Sequence, residues 1–185
     1  IIGIIFAVVI AGAAIYYAYQ ESREYITASE NGYNMAFFEL VDYVQNVETY
    51  LAKALISTTP EHGAETLTNV WREAGIAQTY LSQLPISSNE LEKTSKFLNQ
   101  VSDYSYALSR KNIKGENLTQ EDFDNIKQLH TYSVELENSL NQLSADLNEG
   151  RIKWGELTRK GNNVFATQVT NISQDSFSSL EEIGR

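Results

Sequence analysis

Apolar residues recur at intervals of three and four along most of this 185-residue chain. This spacing predicts helices that each bury one face. The first face is carried by Tyr33, Phe37, Leu40, Val44, Val47, Leu51 and Ala54. It ends shortly before Pro60, which suits the first turn of a second helix with Thr59 as its N-cap.

Three more faces follow with the same spacing. The second comprises Leu67, Val70, Trp71, Ala74, Ala77, Leu81 and Leu84. The third comprises Leu91, Leu98, Val101 and Leu108, with the polar Thr94 and Ser105 between them. The fourth comprises Ile126, Leu129, Leu136, Leu140, Leu143 and Leu147, with Ser133 between them. Ser87 with Glu90, and Thr119 with Asp122, have the spacing that satisfies free N–H groups at a helix start.

These helices are about 23 to 30 residues long, roughly 35–45 Å each. Short connections make consecutive helices antiparallel neighbours. The sequence therefore predicts an all-α fold, an antiparallel up-down four-helix bundle over residues 33–161 with a short extra C-terminal helix. Residues 162–185 are rich in Asn, Gln, Ser and Thr, and we interpret them as a polar helix or linker towards a missing C-terminal region.

Residues 1–20 carry no charged side chain. Twenty helical residues span roughly 30 Å, the thickness of a bilayer core. Tyr16, Tyr17 and Tyr19 at its end resemble the aromatic belt of a membrane interface. We therefore expect a transmembrane anchor at 1–20, followed by a helical stalk at 21–32.

Small residues recur every four positions in the expected anchor, at Gly3, Ala7 and Ala11. Such a stripe lets helices approach closely in a membrane, although Ala and Gly are also common there without specific pairing. The run Ala11-Gly12-Ala13 resembles a signal-peptide cleavage site. A removed export signal is thus the alternative to an anchor.

The chain is acidic, with a formal net charge of −10 and no cysteine. This charge argues against a nucleic acid partner, because phosphate binding needs clustered Lys and Arg. The flank after the expected span holds Glu21, Arg23, Glu24 and Glu30. Since basic residues concentrate at cytoplasmic ends of spans, this flank favours the non-cytoplasmic side for the bulk of the chain.

A basic segment follows Gly150, and Glu156 is its one counter-charge. It comprises Arg151, Lys153, Arg159 and Lys160. If the fourth helix ends near the membrane, these residues would contact anionic lipid or the acidic stalk. Trp154 among them would then suit the membrane interface. The alternative is a solvated C-terminal turn.

The sequence predicts no catalytic, cofactor-binding or metal-binding residue. The two histidines, His62 and His130, lack the further ligands that a zinc site needs. No local signature pairs a Ser or Thr nucleophile with a base, and the carboxylates around Glu121 suit a helix N-terminus. We therefore expect a protein that is not an enzyme and that has no cofactor.

Tyrosine and tryptophan are frequent in protein interfaces. Trp71 and Tyr33 lie on apolar faces, which predicts core positions for both. Tyr104 and Tyr106 flank the polar third face, and they are the candidate partner-binding residues. The alternative is that such tyrosines only seal the edges of the bundle.

Long stretches of the chain resemble the YpeB family of spore-germination proteins of endospore-forming Gram-positive bacteria. They read YNMAFFELVDYVQNVETYLAKALI, AGIAQTYLSQLPIS, KFLNQVSDYSYALSRKNIKGENLT and LNEGRIKWGELTRKGN. The resemblance implies a single N-terminal span in the spore inner membrane and no catalytic residues. It also implies mutual dependence with the cortex-lytic enzyme SleB. The C-terminal PepSY-type repeats of that family are absent from this sequence.

The resulting expectation is a non-enzymatic, membrane-anchored module that binds and stabilises a SleB-like cortex-lytic hydrolase and is needed for germination. It would be single-pass, with the bulk of the chain on the non-cytoplasmic side. The alternative is an extracytoplasmic four-helix sensory input domain of a membrane receptor. A sensor would require a second span or a cytoplasmic output region.

Overall fold

The computed structural model describes residues 2–159, and within them the side-chain surroundings of 15–21, 28–87 and 91–158. The described residues form five helices and no strand, which confirms the all-α fold. The helices are α1 (Ile2–Leu55), α2 (Pro60–Leu81), α3 (Ser88–Ile113), α4 (Gln120–Asn148) and α5 (Trp154–Arg159). The predicted polar segment at 162–185 lies outside the described residues.

The chain divides into two units, Ile1–Met35 and Ala36–Arg185. In the first, Tyr16, Tyr17 and Tyr19 are 62–73% exposed. Gly3, Ala7 and Ala11 lie in α1, but their side-chain surroundings are outside the described part. Among the residues that the structure describes, no helix has a segment long and apolar enough to cross a bilayer. The anchor and its packing stripe stay predictions.

The helix starts largely follow the predicted capping residues. Thr59 is the N-cap of α2, and its Oγ1 accepts a 3.3 Å hydrogen bond from the His62 amide. A complete capping box joins Thr119 and Asp122 at α4, with bonds of 3.1 and 2.7 Å. Ser87 is the N-cap of α3, but its side chain makes no capping bond. The capping box predicted there is wrong, because it requires a bond from the Ser87 side chain; the Ser87 carbonyl accepts from the Leu91 amide at 3.2 Å.

The second unit buries most of the predicted apolar faces. Fully buried large side chains include Phe37, Leu40, Leu51, Leu67, Phe97, Leu98, Ile126, Leu129, Leu136, Leu140 and Leu143. The predicted core position of Trp71 is wrong, because this residue is 43% exposed. Val70 and Ala74 occupy the centre of the same face at 0% exposure, which leaves Trp71 at its edge. Tyr33, also predicted to be core, belongs to the first unit and is only partly buried.

Side-chain contacts connect the four long helices from Ala36 onward. They are Asn46–Glu73 between α1 and α2 (3.1 Å), Gln78–Ser95 between α2 and α3 (3.1 Å), Phe97–Tyr132 between α3 and α4 (ring centroids 6.3 Å) and Glu48–His130 between α1 and α4 (2.7 Å). Each of the four long helices therefore contacts the next along the chain, and α4 contacts α1.

The short helix α5 packs against earlier elements of the second unit. Trp154 and Leu157 are 4% and 1% exposed, and the Trp154 ring meets Phe37 edge to face at 5.8 Å. Thr158 Oγ1 donates to the Pro85 carbonyl at 2.9 Å. The membrane-interface prediction for Trp154 is wrong, because burying an indole against another aromatic ring removes it from the surface.

Candidate partner-binding surface

The described residues hold no group of three or more His, Cys, Asp or Glu side chains that could bind a metal ion. His62 is exposed in the first turn of α2, and His130 contacts Glu48. The exposed aromatic side chains in the described part of the chain are Tyr16, Tyr17, Tyr19 and Phe38 on α1, Trp71 on α2 and Tyr106 on α3.

The structure separates the two predicted partner-binding tyrosines. Their spacing of two residues places Tyr104 and Tyr106 about 200° apart around α3. The Tyr104 hydroxyl donates to Asp122 Oδ1 at 3.3 Å and accepts from Asn125 Nδ2 at 3.1 Å. Burial, reinforced by the Asp122 charge, raises the pKa of Tyr104 to about 12, although the Asn125 bond works in the opposite direction. Tyr104 therefore serves the contact between α3 and α4.

Asp122 is the centre of that contact. Its Oδ2 accepts from Lys111 Nζ at 2.6 Å and from the Thr119 amide at 2.7 Å. Burial disfavours the carboxylate, but these hydrogen bonds outweigh it and hold the pKa of Asp122 below its ordinary value. The same carboxylate thus caps α4 and ties the end of α3 to the start of α4.

Tyr106 forms an exposed aromatic pair with Trp71 of α2. The ring centroids lie 5.3 Å apart at 44°, and the residues are 46% and 43% exposed. Ser102 Oγ donates to the Trp71 carbonyl at 3.4 Å, which holds the two helices together beside the pair. Sequence reasoning missed Trp71, although neighbours such as Val70 and Trp71 point about 100° apart on a helix and cannot both face the centre of the core.

Two more exposed residues extend this pair along α3. Arg110 lies four residues after Tyr106, and Ile113 lies seven after it, so all three share one side of the helix. Arg110 is exposed, and Ile113 is 61% exposed. We name Trp71, Tyr106, Arg110 and Ile113 together the aromatic-basic surface.

The predicted basic segment after Gly150 is only partly described. Arg151 pairs locally, with Asp146 Oδ1 at 2.6 Å from its Nη2 and with Glu149. These partners, Asp146 first, raise its pKa. Lys153 is exposed, while the Arg159 side chain and all of Lys160 lie outside the described part. Contact of this segment with lipid or stalk stays a prediction.

Comparison with known proteins shows which protein family this chain resembles. A family model described as YpeB N-terminal matches residues 21–156. The sporulation protein YpeB of Halalkalibacterium halodurans is 29% identical over 188 residues, which cover 98% of this chain and 41% of that protein. The sporulation protein YpeB of Bacillus subtilis is 27% identical over 159 residues, 82% of this chain and 35% of that protein.

A further sporulation protein YpeB, from Oceanobacillus iheyensis, is 26% identical over 152 residues, 81% of this chain and 34% of that protein. The chain thus spans well under half the length of these curated relatives. No solved structure matches it. Since the family model covers most of the chain, from the end of the uncharged segment into α5, the chain belongs to the YpeB N-terminal family.

Proposed function

We propose that this chain is a non-enzymatic module that binds and stabilises a cortex-lytic hydrolase of the SleB type and acts in spore germination. Its relatives are named sporulation proteins, which supports a role in sporulation or germination. The observation that carries the binding role is the exposed pair Trp71–Tyr106. Aromatic side chains left at a surface are frequent hot spots of protein interfaces.

In this proposal the four long helices form an up-down-up-down bundle beyond Ala36. The neighbour contacts from α1 to α4 and back to α1 support that order. The uncharged residues 1–20 anchor the chain as a single span in the spore inner membrane. The acidic flank at Glu21 and Glu24 supports placing the bundle on the non-cytoplasmic side.

A sensory input domain is the second candidate function. It would use the same four long helices, whose neighbour contacts run from α1 to α4 and back to α1. Copurification distinguishes the two candidates, because a binding module recovers a cortex hydrolase and a sensor recovers a signalling protein.

The test uses the full-length protein in spores, with Trp71→Ala and Tyr106→Ala combined. Phe38→Ala is the control, since Phe38 is an aromatic residue of α1 that is 38% exposed. We expect the double variant to lose the hydrolase from the spore membrane fraction and from the affinity-purified complex. The Phe38 variant should keep both. Equal hydrolase levels and equal copurification in the double variant and wild type would refute the binding role of this pair.

A further inference from the structure

The aromatic-basic surface differs in charge from the rest of the molecule. The chain holds 24 acidic and 14 basic residues. From Tyr104 to Lys114, however, the sequence YSYALSRKNIK contains three basic residues and no Asp or Glu. The end of α3 and its C-cap residue Lys114 therefore form a positive stretch in an acidic protein.

The positive charge available to a partner is that of Arg110 and Lys114. Lys111 is engaged with Asp122 at 2.6 Å. Arg72, next to Trp71, directs Nε and Nη2 to Glu73 Oε1 at 3.1 and 2.9 Å. Within the described part of the chain, exposed Arg110 and Lys114 form no ion pair.

The geometry places Arg110 between apolar contacts. Tyr106 and Ile113 are separated by seven residues, about 10 Å along the helix axis. Arg110 lies between them, and Trp71 borders Tyr106 across the α2–α3 contact. Trp, Tyr and Arg are the residue types enriched in interface hot spots. An Arg guanidinium also binds a carboxylate through two parallel hydrogen bonds.

We infer that the aromatic-basic surface binds an acidic protein segment. Apolar side chains of the partner segment pack on Trp71, Tyr106 and Ile113, and one carboxylate of that segment pairs with Arg110. This inference rests on the proposed function and names the chemistry of the partner at the same surface. Charge complementarity of this kind sets specificity and accelerates association.

The test measures the Kd between the purified full-length protein and the purified hydrolase at several salt concentrations. Arg110→Glu should weaken binding at least tenfold and reduce its salt dependence, because the variant repels a carboxylate. Arg110→Lys should weaken it less, since Lys keeps the charge and loses the paired hydrogen bonds. Lys127→Glu on α4 is the matched control, an exposed residue with the same change in charge. It should bind as the wild type does.

Equal weakening by Arg110→Glu and Lys127→Glu would overturn the inference, as would wild-type affinity in Arg110→Glu. If the wild type does not bind the hydrolase, the proposed function fails. The inference is then tested by placing a photo-crosslinking amino acid at position 106 of the full-length protein in spores and identifying what it crosslinks to. A crosslink to an acidic segment of another protein supports it. A crosslink to a neutral or basic segment, to a second copy of the chain or to lipid overturns it.

Discussion

His130 Nε2 on α4 lies 2.7 Å from Glu48 Oε1 on α1, and the two side chains are only 26% and 22% exposed. Glu48→Ala would leave the imidazole without this partner in a largely buried position. We expect the free energy of unfolding to fall by about 1–3 kcal/mol. Urea denaturation of both single variants and the double with His130→Ala gives the coupling between them. Strictly additive effects would show that this contact contributes nothing.

Asp122 makes the free energy of unfolding depend on pH in the acid range. Its pKa is lower in the folded chain than the ordinary value of 3.8. Its contribution is therefore present above that value and is lost as pH falls through the folded pKa. Asp122→Asn should lower stability at pH 7 by about 0.5–2 kcal/mol, the usual scale for a helix cap. The deficit should shrink as pH falls below about 4, because the wild type then loses the same carboxylate.

The control for that experiment is Asp124→Asn, because Asp124 is an exposed carboxylate in the same part of α4. Thermal unfolding of the wild type, Asp122→Asn and Asp124→Asn is measured between about pH 2 and pH 7, the range in which carboxyl groups titrate. The Asp124 variant should follow the wild-type profile. An Asp122 deficit that stayed constant down to the lowest pH would contradict the role assigned to its charge.

Gly63 marks a close approach of α2 to α3. A Cβ at this position would lie 2.3 Å from Asn112 Nδ2, and Asn112 is 5% exposed. Gly63→Ala should therefore destabilise the domain, although Ala is favoured over Gly within a helix by about 0.5–1 kcal/mol. In an Asn112→Ala background the same change should become stabilising. Failure of the sign to reverse in urea denaturation would show that Asn112 does not limit the space at Gly63.

Trp154 is predicted to report on the packing of α5. With Trp71→Phe, the remaining indole is the buried one, and acrylamide should quench its fluorescence weakly. With Trp154→Phe, the remaining Trp71 is 43% exposed and should be quenched strongly. Trp154→Ala should cost about 3–5 kcal/mol, as for other buried aromatic truncations. Equal quenching of the two tryptophans would contradict the burial of α5.

The parts of this fold that could be predicted from sequence are those that depend on nearby residues. The capping box of Thr119 and Asp122 needs only three residues of spacing. The leucine-rich face of α4 is recognisable because one aliphatic residue follows another at helical intervals. The polar character of α3 was predicted in the same way, and Thr94 and Ser105 are indeed buried at 0% and 1% exposure.

The residues that could not be placed depend on distant partners. Trp154 is buried because Phe37, far away in the sequence, supplies a ring against it. The position of Trp71 at the edge of its face follows from Val70 beside it, but its contact with Tyr106 on another helix does not. Tyr104 turns inward because Asp122 and Asn125 of α4 bind its hydroxyl. Periodicity gives the angle of a side chain around its own helix, but it does not give the helix that meets it.

The polar inner side of α3 has a consequence for local opening. Its described buried positions include Thr94, Ser102, Ser105, Ser109 and Asn112. Among the described residues, Thr94 Oγ1 and Ser105 Oγ have no hydrogen-bond partner. Because such groups hold a helix less firmly than leucines do, the amides of α3 should exchange with deuterium sooner than those of α4. Tyr106 and Arg110 belong to that same helix, so a bound partner should slow its exchange more than that of any other helix.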